Sequence, residues 1–590
     1  MPYLATVPDS RVYTQVTDEF RGYNHNLKIN DGEFFDMKNF TSDYYPLLAN
    51  REKRSVAFTP TNPLGLLGRA QLAYIDGSEL YYNGLNITSY LTGKGFSIST
   101  APGMLPKRLV NFGAYICIFP DKLYINVENY SDCGSMEAAF SSSGDVTYSL
   151  CKADSTAYQT PTVSPTAPEN PTNGDLWIDT SGANHVLREW NSVMESWTEI
   201  ATVYTKIENA GIGAGFKEYD GVDISGAAGN PQVEALNGSH IIYAKGDDYI
   251  VIVGILDEVY TQSTGTLSVK RSVPDMDFVI EAENRLWGCK YGLVDGETIN
   301  EIYSCALGDF KNWRQYLGVS TDSYAASVGT DGPFTGAVTQ GNHPIFFKED
   351  YMHKVFISGS GAHQISSSEC KGVQYGSWQS VCVVGETAFY KGRDGICAYD
   401  GSLPVTVSDA LGTEKYRDAV AGTIDNKYYV SMKNAAGEWS LFVLDTGKGL
   451  WHREDDTHAA GFARAADELY YIDAKDGTIR CVRGSQGTAE DKVEWEATSG
   501  LIGYTTVEHK YISRINFRMM LPKGSKMDFF MEYDSSGKWE HSGHIDGQGT
   551  NSFVLPIRTR RCDHFRYRIK GSGDIRIYSI ARNMEVGSDA

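Results

Sequence analysis

EAENRLWG (residues 281–288), IYSCALGDFKNW (302–313), VGTDGPFTGAV (328–338) and PIFFKEDYMHKVFIS (344–358) form the stretch that decides the fold. Within each piece apolar and aromatic residues alternate with polar ones, and Gly-Asp, Asp-Gly or Glu-Asp pairs separate the runs. Alternation marks half-buried strands, and those pairs mark the tight turns between them. The rhythm is that of one propeller blade after another. Outward from it, similar strand pairs recur at intervals of about 40 to 60 residues, the spacing of one four-stranded blade per repeat. They are RAQLAYIDGSELYYNG (69–84), NFGAYICIFPDKLYINVEN (111–129), IIYAKGDDYIVIVG (241–254), TAFYKGRDGICAYDG (387–401), KYYVSMKNAAGEWSLFVLDTGKGLWHRE (427–454) and ELYYIDAKDGTIRCV (468–482). A propeller suits such repeats because each blade buries both faces on its neighbours and ring closure leaves few exposed edges. The expectation is therefore a mostly β protein built on a β-propeller of about seven blades. Trp287, Trp313 and Trp451, at the ends of motifs, are expected to fill gaps between blades.

Composition agrees. The chain has 590 residues, more than one core usually supports, with 60 glycines and 37 tyrosines that favour turns and strands. Windows with helical apolar spacing are scarce. The longest apolar run, Tyr249 to Leu256, is far short of the ~20 residues of a membrane span, so no membrane span is expected. MPYLATVPDS, at the start, has no charged-then-apolar signal pattern. Ten scattered cysteines form no CxxC pair and no zinc spacing, and read as small buried hydrophobes in a reducing cytosol. Without a secretory signal the Asn-x-Ser/Thr sequons carry no meaning as glycan sites.

Five regions follow from these patterns: an irregular N-terminal arm (1–55), the first blades (56–156), an inserted Trp-containing module (157–203), the remaining blades (204–486) and a C-terminal antiparallel β-sandwich (487–590). The sandwich is indicated by longer alternating strands such as YISRINFRMML (511–521) and DIRIYSI (574–580). The insert is announced by ADSTAYQTPTVSPTAPENPTNG (153–174), whose Pro, Thr and Ser content is that of a linker without ladder pairs.

The blade motifs, in order, resemble the tail nozzle or hub proteins of short-tailed bacteriophages, the packaged-DNA stabilisation family. In the middle of the chain the matching residues are Arg285, Leu286, Trp287 and Gly288, then Gly308, Asp309, Asn312 and Trp313, then Asp331, Gly332 and Pro333, then Phe347, Lys348 and Glu349. At the N-terminus they are Gly22, Asn24, Glu33, Asn39, Tyr45, Pro46, Leu48, Arg51 and Arg54, and the segment from Trp495 onward also fits. The resemblance implies a structural virion protein that is not an enzyme. It would be assembled in the host bacterial cytoplasm into a ring, a hexamer, beneath the portal and adaptor and beside other tail proteins. DNA would pass through transiently without sequence-specific binding. The net charge of −21 agrees with passage rather than grip, since phosphate-binding surfaces are basic. An acidic channel wall would leave DNA free to slide, and the same charge also serves plain solubility.

The insert resembles a small module recurring in phage tail and fibre proteins, through Gly174, Asp175, Leu176, Trp177, Asp179, Trp190 and Trp197. Trp177, Trp190 and Trp197 are the one candidate ligand site, a stacking platform for a cell-surface glycan. Their competing role is to be the core of a unit too small to spare large aromatics. No catalytic signature, cofactor fingerprint or metal-ligand spacing stands in a convincing context. Asp309 and Asp331 sit in turns, where Asp serves the backbone, and His343, His353 and His363 fall in different strands or turns. Two other function classes stay open: a propeller-type glycan-binding or glycan-processing protein, with the three tryptophans and acidic turns as its site, and a baseplate component.

Overall fold

The computed structural model describes residues 11–294, 296–503, 509–556 and 560–586. The first ten residues, where no signal pattern was expected, lie outside them. Seven sheets form a closed ring, each with its first strand facing the axis. The axial strands are Pro63–Gly68, Arg108–Phe112, Phe278–Ala282, Gly336–Gln340, Cys382–Val384, Tyr416–Ile424 and Ala459–Ala465, one for each of blades one to seven. The protein is thus a seven-bladed β-propeller.

Blades two to six use consecutive strands, and the seventh does not. Its strands Ala459–Ala465, Glu468–Asp473 and Ile479–Cys481 are completed by Ser55–Phe58, which arrives from the beginning of the chain and pairs with Ile479–Cys481. The ring is closed by this borrowed strand, so the seventh blade has no bare edge on that side. Blades one and seven approach so closely that a Cβ on Gly68 would lie 1.7 Å from the carbonyl oxygen of Arg464, which only glycine avoids.

Several residues that carry the sequence resemblance occupy buried polar positions. Arg285 donates to the carbonyls of Cys305, Asp322 and Ser320 at 2.6–2.8 Å, fastening the loop after its blade. Lys348 donates to Asn300 and to the Thr330 carbonyl, with its ammonium over the Phe334 ring. Trp287 is buried between blades three and four, and Trp313 between blades two and three, as gap-fillers should be. Trp451 packs where blades five and six meet the sandwich and donates to the Val407 carbonyl.

Residues 138–151 and 204–271 depart from the expected blades. They build a separate β-sandwich inserted between blades two and three. One sheet is Ala138–Ser141, Ser268–Arg271, Gly221–Ser225 and Gly238–Ile241; the other is Ala244–Lys245, Tyr249–Val253, Tyr204–Glu208, Val146–Cys151 and Tyr260–Gln262. Tyr148, Ile207, Ile224, Ile250 and Val269 fill its core. Strand alternation is the same in a sandwich as in a blade, so period alone assigned IIYAKGDDYIVIVG to the ring. Asn312 of the third blade anchors this domain, donating to the Tyr219 carbonyl and accepting from the Gly221 amide.

The N-terminal segment also departs from the expected irregular arm. Gly22–Tyr23 and Glu33–Lys38 join one sheet of the final sandwich; Arg11–Thr17, Phe40–Thr41 and Leu48–Asn50 join the other. Arg11–Thr17 lies antiparallel along Arg576–Val586, pairing Thr17 with Ile580. The expected sandwich is therefore real but is built from both regions of the chain, and its core continues into blades five and six through Phe389, Tyr416, Tyr428 and Trp451.

His353 and His452 are both buried in the propeller. His353 bridges Thr330 and Ser367 at 2.9 and 2.8 Å, and burial, helped by Lys348, pushes its pKa down to about 4. Burial likewise pushes His452 to about 3. The folded state keeps both rings neutral while the unfolded chain takes up protons below pH ~6.5, so stability falls as pH drops from about 6.5 towards 4. Melting temperature should fall steadily across that window, and His353→Gln should make the fall shallower. An unchanged slope would remove His353 from the account.

Candidate functional site

The module at 157–203 is an insertion within the inserted domain, leaving after Cys151 and returning at Tyr204, which pair directly in one sheet. Its four strands are Thr162–Ser164, Leu176–Asp179, Val186–Asn191 and Ser196–Glu199. The first lies in the stretch expected to form no ladder. It pairs in parallel with Leu176–Asp179, with the Trp177 indole donating to the Ser164 carbonyl at 3.0 Å.

Strand alternation divides this sheet cleanly. Leu176, Ile178 and Leu187 form its core on one face, packed with Val203 at the module's end and with Leu150 and Ile255 of the inserted domain. Trp177 stands opposite Arg188, and Trp190 opposite Trp197, which places all four side chains on the other face. Trp197 meets both other indoles edge-on at 5.4 Å. Trp177 is buried and the other two are half-buried. Arg188 lies 5.8 Å over Trp177 and pairs with Asp179 at 3.3 Å. The aliphatic cluster packs one face of the sheet, while on the other Trp177 is buried under its neighbours and Trp190 and Trp197 are half-buried. The three indoles form a corrugated aromatic face rimmed by one cation and one carboxylate, suited to the apolar faces and hydroxyls of a sugar. His185 and Gln232 both bond to Asp257, holding the module's edge on the inserted domain.

A second concave site lies on the propeller axis. All seven axial strands or their flanks line a cavity of about 570 Å³, among them Leu66, Arg108, Phe278, Trp378, Ala421 and Phe462. Among the described residues lining it there is no Asp or Glu. Two-carboxylate glycoside hydrolysis requires an acid and a second carboxylate flanking the bond, and this cavity supplies neither.

The remaining candidates are scattered. Asp309 accepts from the Lys311 amide and lies 3.5 Å from Lys217; Asp331 accepts from the Gly332 amide and the Tyr291 hydroxyl. Both serve their turns. His363 packs edge-on against Trp287 and Tyr324, and His343 lies tilted against Phe356, so the three histidines face different neighbours. All ten cysteines are free thiols, eight of them buried. Arg188 and Arg108 were not singled out in the sequence, because neither has a local signature: one is defined by a cross-strand partner, the other by aromatics from distant blades.

No known family matches the sequence, and no curated protein matches it. Among solved structures, the chain is similar to a protein titled glycoside hydrolase, at 11% identity and a TM-score of 0.20, over 52% of this chain and 96% of the other. It is also similar to a putative 6-phosphogluconolactonase of Bacteroides fragilis, at 10% identity and a TM-score of 0.24, over 59% and 96%. A third, an engineered GH43 glycoside hydrolase, has 10% identity and a TM-score of 0.20, over 52% and 97%. The expectation that the protein is not an enzyme is corrected by these matches, since two of the three are named as glycoside hydrolases and the exclusion of catalysis falls away. At such TM-scores they assign no activity to this chain.

Proposed function

We propose that this is a carbohydrate-contacting β-propeller protein and that the Trp177, Trp190 and Trp197 face is its contact surface. The observation that supports this is the division of the module's sheet. Its aliphatic face packs on the inserted domain, while three indoles with Arg188 and Asp179 occupy the opposite face, where Trp190 and Trp197 stay half-buried. The test is binding of the full chain to an oligosaccharide array, beside a Trp190→Ala, Trp197→Ala double variant. Binding should fall at least about tenfold, as two aromatic stacking contacts of about 0.5–1.5 kcal/mol each are lost. The melting temperature should hold, because the aliphatic core is untouched. Equal binding by both proteins would sink the proposal. A hydrolysis assay on the bound oligosaccharides separates processing from binding alone.

A second reading is favoured by the placement of the motif residues: the chain as a ring subunit of a phage tail nozzle or hub, within a virion tail. Arg51, Arg54, Arg285, Asn312 and Lys348, all quoted for the resemblance, hold blades, inserted domain and sandwich together from buried positions. Under this reading the subunits form a hexamer attached to portal and adaptor, DNA passes through, and the tryptophan face is presented to host glycans. Native mass measurement and electron microscopy of the purified protein with its portal and adaptor decide it. A monomer that fails to join them would exclude the ring.

A further inference from the structure

Arg108 stands at the junction of the axial cavity and a second cavity of about 540 Å³, and it lines both. Its guanidinium lies in an aromatic corner, 4.4 Å from the Phe278 ring and 4.7 Å from the Trp378 ring, whose centroids are 6.0 Å apart. The two rings cover it on adjoining sides by cation–π contact and leave its N–H donors without an acceptor. Among the described residues no carboxylate lies within ion-pair distance of it and no hydrogen bond to its side chain is formed. The acids around the second cavity are already engaged: Asp121 by Lys107, Glu137 and Asp275 by Lys122, and Asp277 by Lys290. A half-buried cation with no ion pair of its own, facing an axial cavity whose lining has no carboxylate, is costly unless something supplies the negative charge. Burial accordingly lowers its pKa.

We propose that the axial cavity binds a small organic anion, its carboxylate or phosphate held edge-on by Arg108 and its body resting on the apolar lining that includes Val279, Ile280 and Phe462. A planar carboxylate matches the bare edge of a guanidinium in a two-point contact. The cavity volume is in the range of small-molecule sites. This site is separate from the tryptophan face and does not depend on the glycan reading.

Isothermal titration of the full protein with benzoate, glucuronate and inorganic phosphate, with benzyl alcohol and glucose as neutral counterparts, tests it. At least one anion should bind saturably at millimolar concentration or tighter, with its neutral counterpart at least about tenfold weaker. Arg108→Gln should abolish that binding without lowering the melting temperature, since an unpaired charge is removed. Trp378→Phe should retain binding while losing any fluorescence change that accompanies it. The proposal is overturned if none of the three anions binds, if neutral probes bind as well, or if Arg108→Gln binds undiminished. A fall in melting temperature for Arg108→Gln with no anion binding in the parent protein would make the arginine a packing element.

Discussion

Replacing Arg54 with methionine should destabilise the propeller by about 3–5 kcal/mol, the cost of breaking a buried ion pair by removing one partner. Arg54 immediately precedes the closing strand Ser55–Phe58 and is 2% exposed. Its guanidinium reaches Glu454 at 2.5 Å, Asp455 at 2.9 Å, Thr457 at 2.8 Å and the Tyr471 hydroxyl at 3.2 Å. Burial alone would raise the Asp455 carboxyl pKa, but Arg54 and Arg51 outweigh it and hold it well below the usual carboxylate range. Without Arg54, two carboxylates remain in a dry site with only Arg51 nearby, 3.8 Å from Glu454 and 3.9 Å from Asp455. Urea unfolding followed by near-ultraviolet circular dichroism measures the loss, and pairing the change with Glu454→Gln should recover part of it. A loss below about 1 kcal/mol would place these charges in the class of weak surface pairs.

Trp495→Ala should cost a similar amount, about 3–5 kcal/mol, by opening a cavity in the sandwich. The indole is 1% exposed, packs on Phe40 at 5.7 Å and donates to the Gly573 carbonyl at 2.8 Å. It also lies so tightly over Gly571 that a Cβ there would come within 2.4 Å of the ring. Because Phe40 belongs to the N-terminal strands, the damage should extend to them. Limited proteolysis of the variant should cut within residues 11–50 well before the propeller. Retention of the parent's protease resistance in that segment would show that the N-terminal strands are held by their ladders with Glu494–Ser499 and Arg576–Val586 alone.

How much of this was legible in the sequence depended on the distance between partners. Blades three to six were readable because each is a run of neighbouring strands, so that alternation and turn pairs report the sheet itself, as in His343–Phe347 and Tyr351–Phe356. The N-terminal strands were not. Gly22–Tyr23 and Phe40–Thr41 are two residues long, too short for any period, and Thr17 finds its partner Ile580 at the far side of the chain. Residues 204–271 show the opposite failure, a clear strand pattern whose partners belong to another sheet. The tryptophan face was half legible. Leu176, Trp177 and Ile178 form an unbroken apolar run, and only the register with Leu187 and Arg188 shows which of them look inward. Arg108 was invisible because its aromatic neighbours come from the third blade and the approach to the fifth.

The borrowed strand in the seventh blade also sets an order of events during synthesis. Ser55–Phe58 is made before any of the seven axial strands and must wait, unpaired, until Ile479–Cys481 has been made. The segment before it waits as well, since Leu48–Asn50 pairs with Arg576–Val586. Throughout that interval the nascent chain carries early strands whose partners do not yet exist, the condition in which edges pair with the wrong neighbour. One late event, the docking of the seventh blade on a strand made hundreds of residues earlier, then converts an open arc into a ring. Chains truncated before Ile479 should therefore accumulate as aggregates or chaperone-bound arcs rather than as smaller propellers.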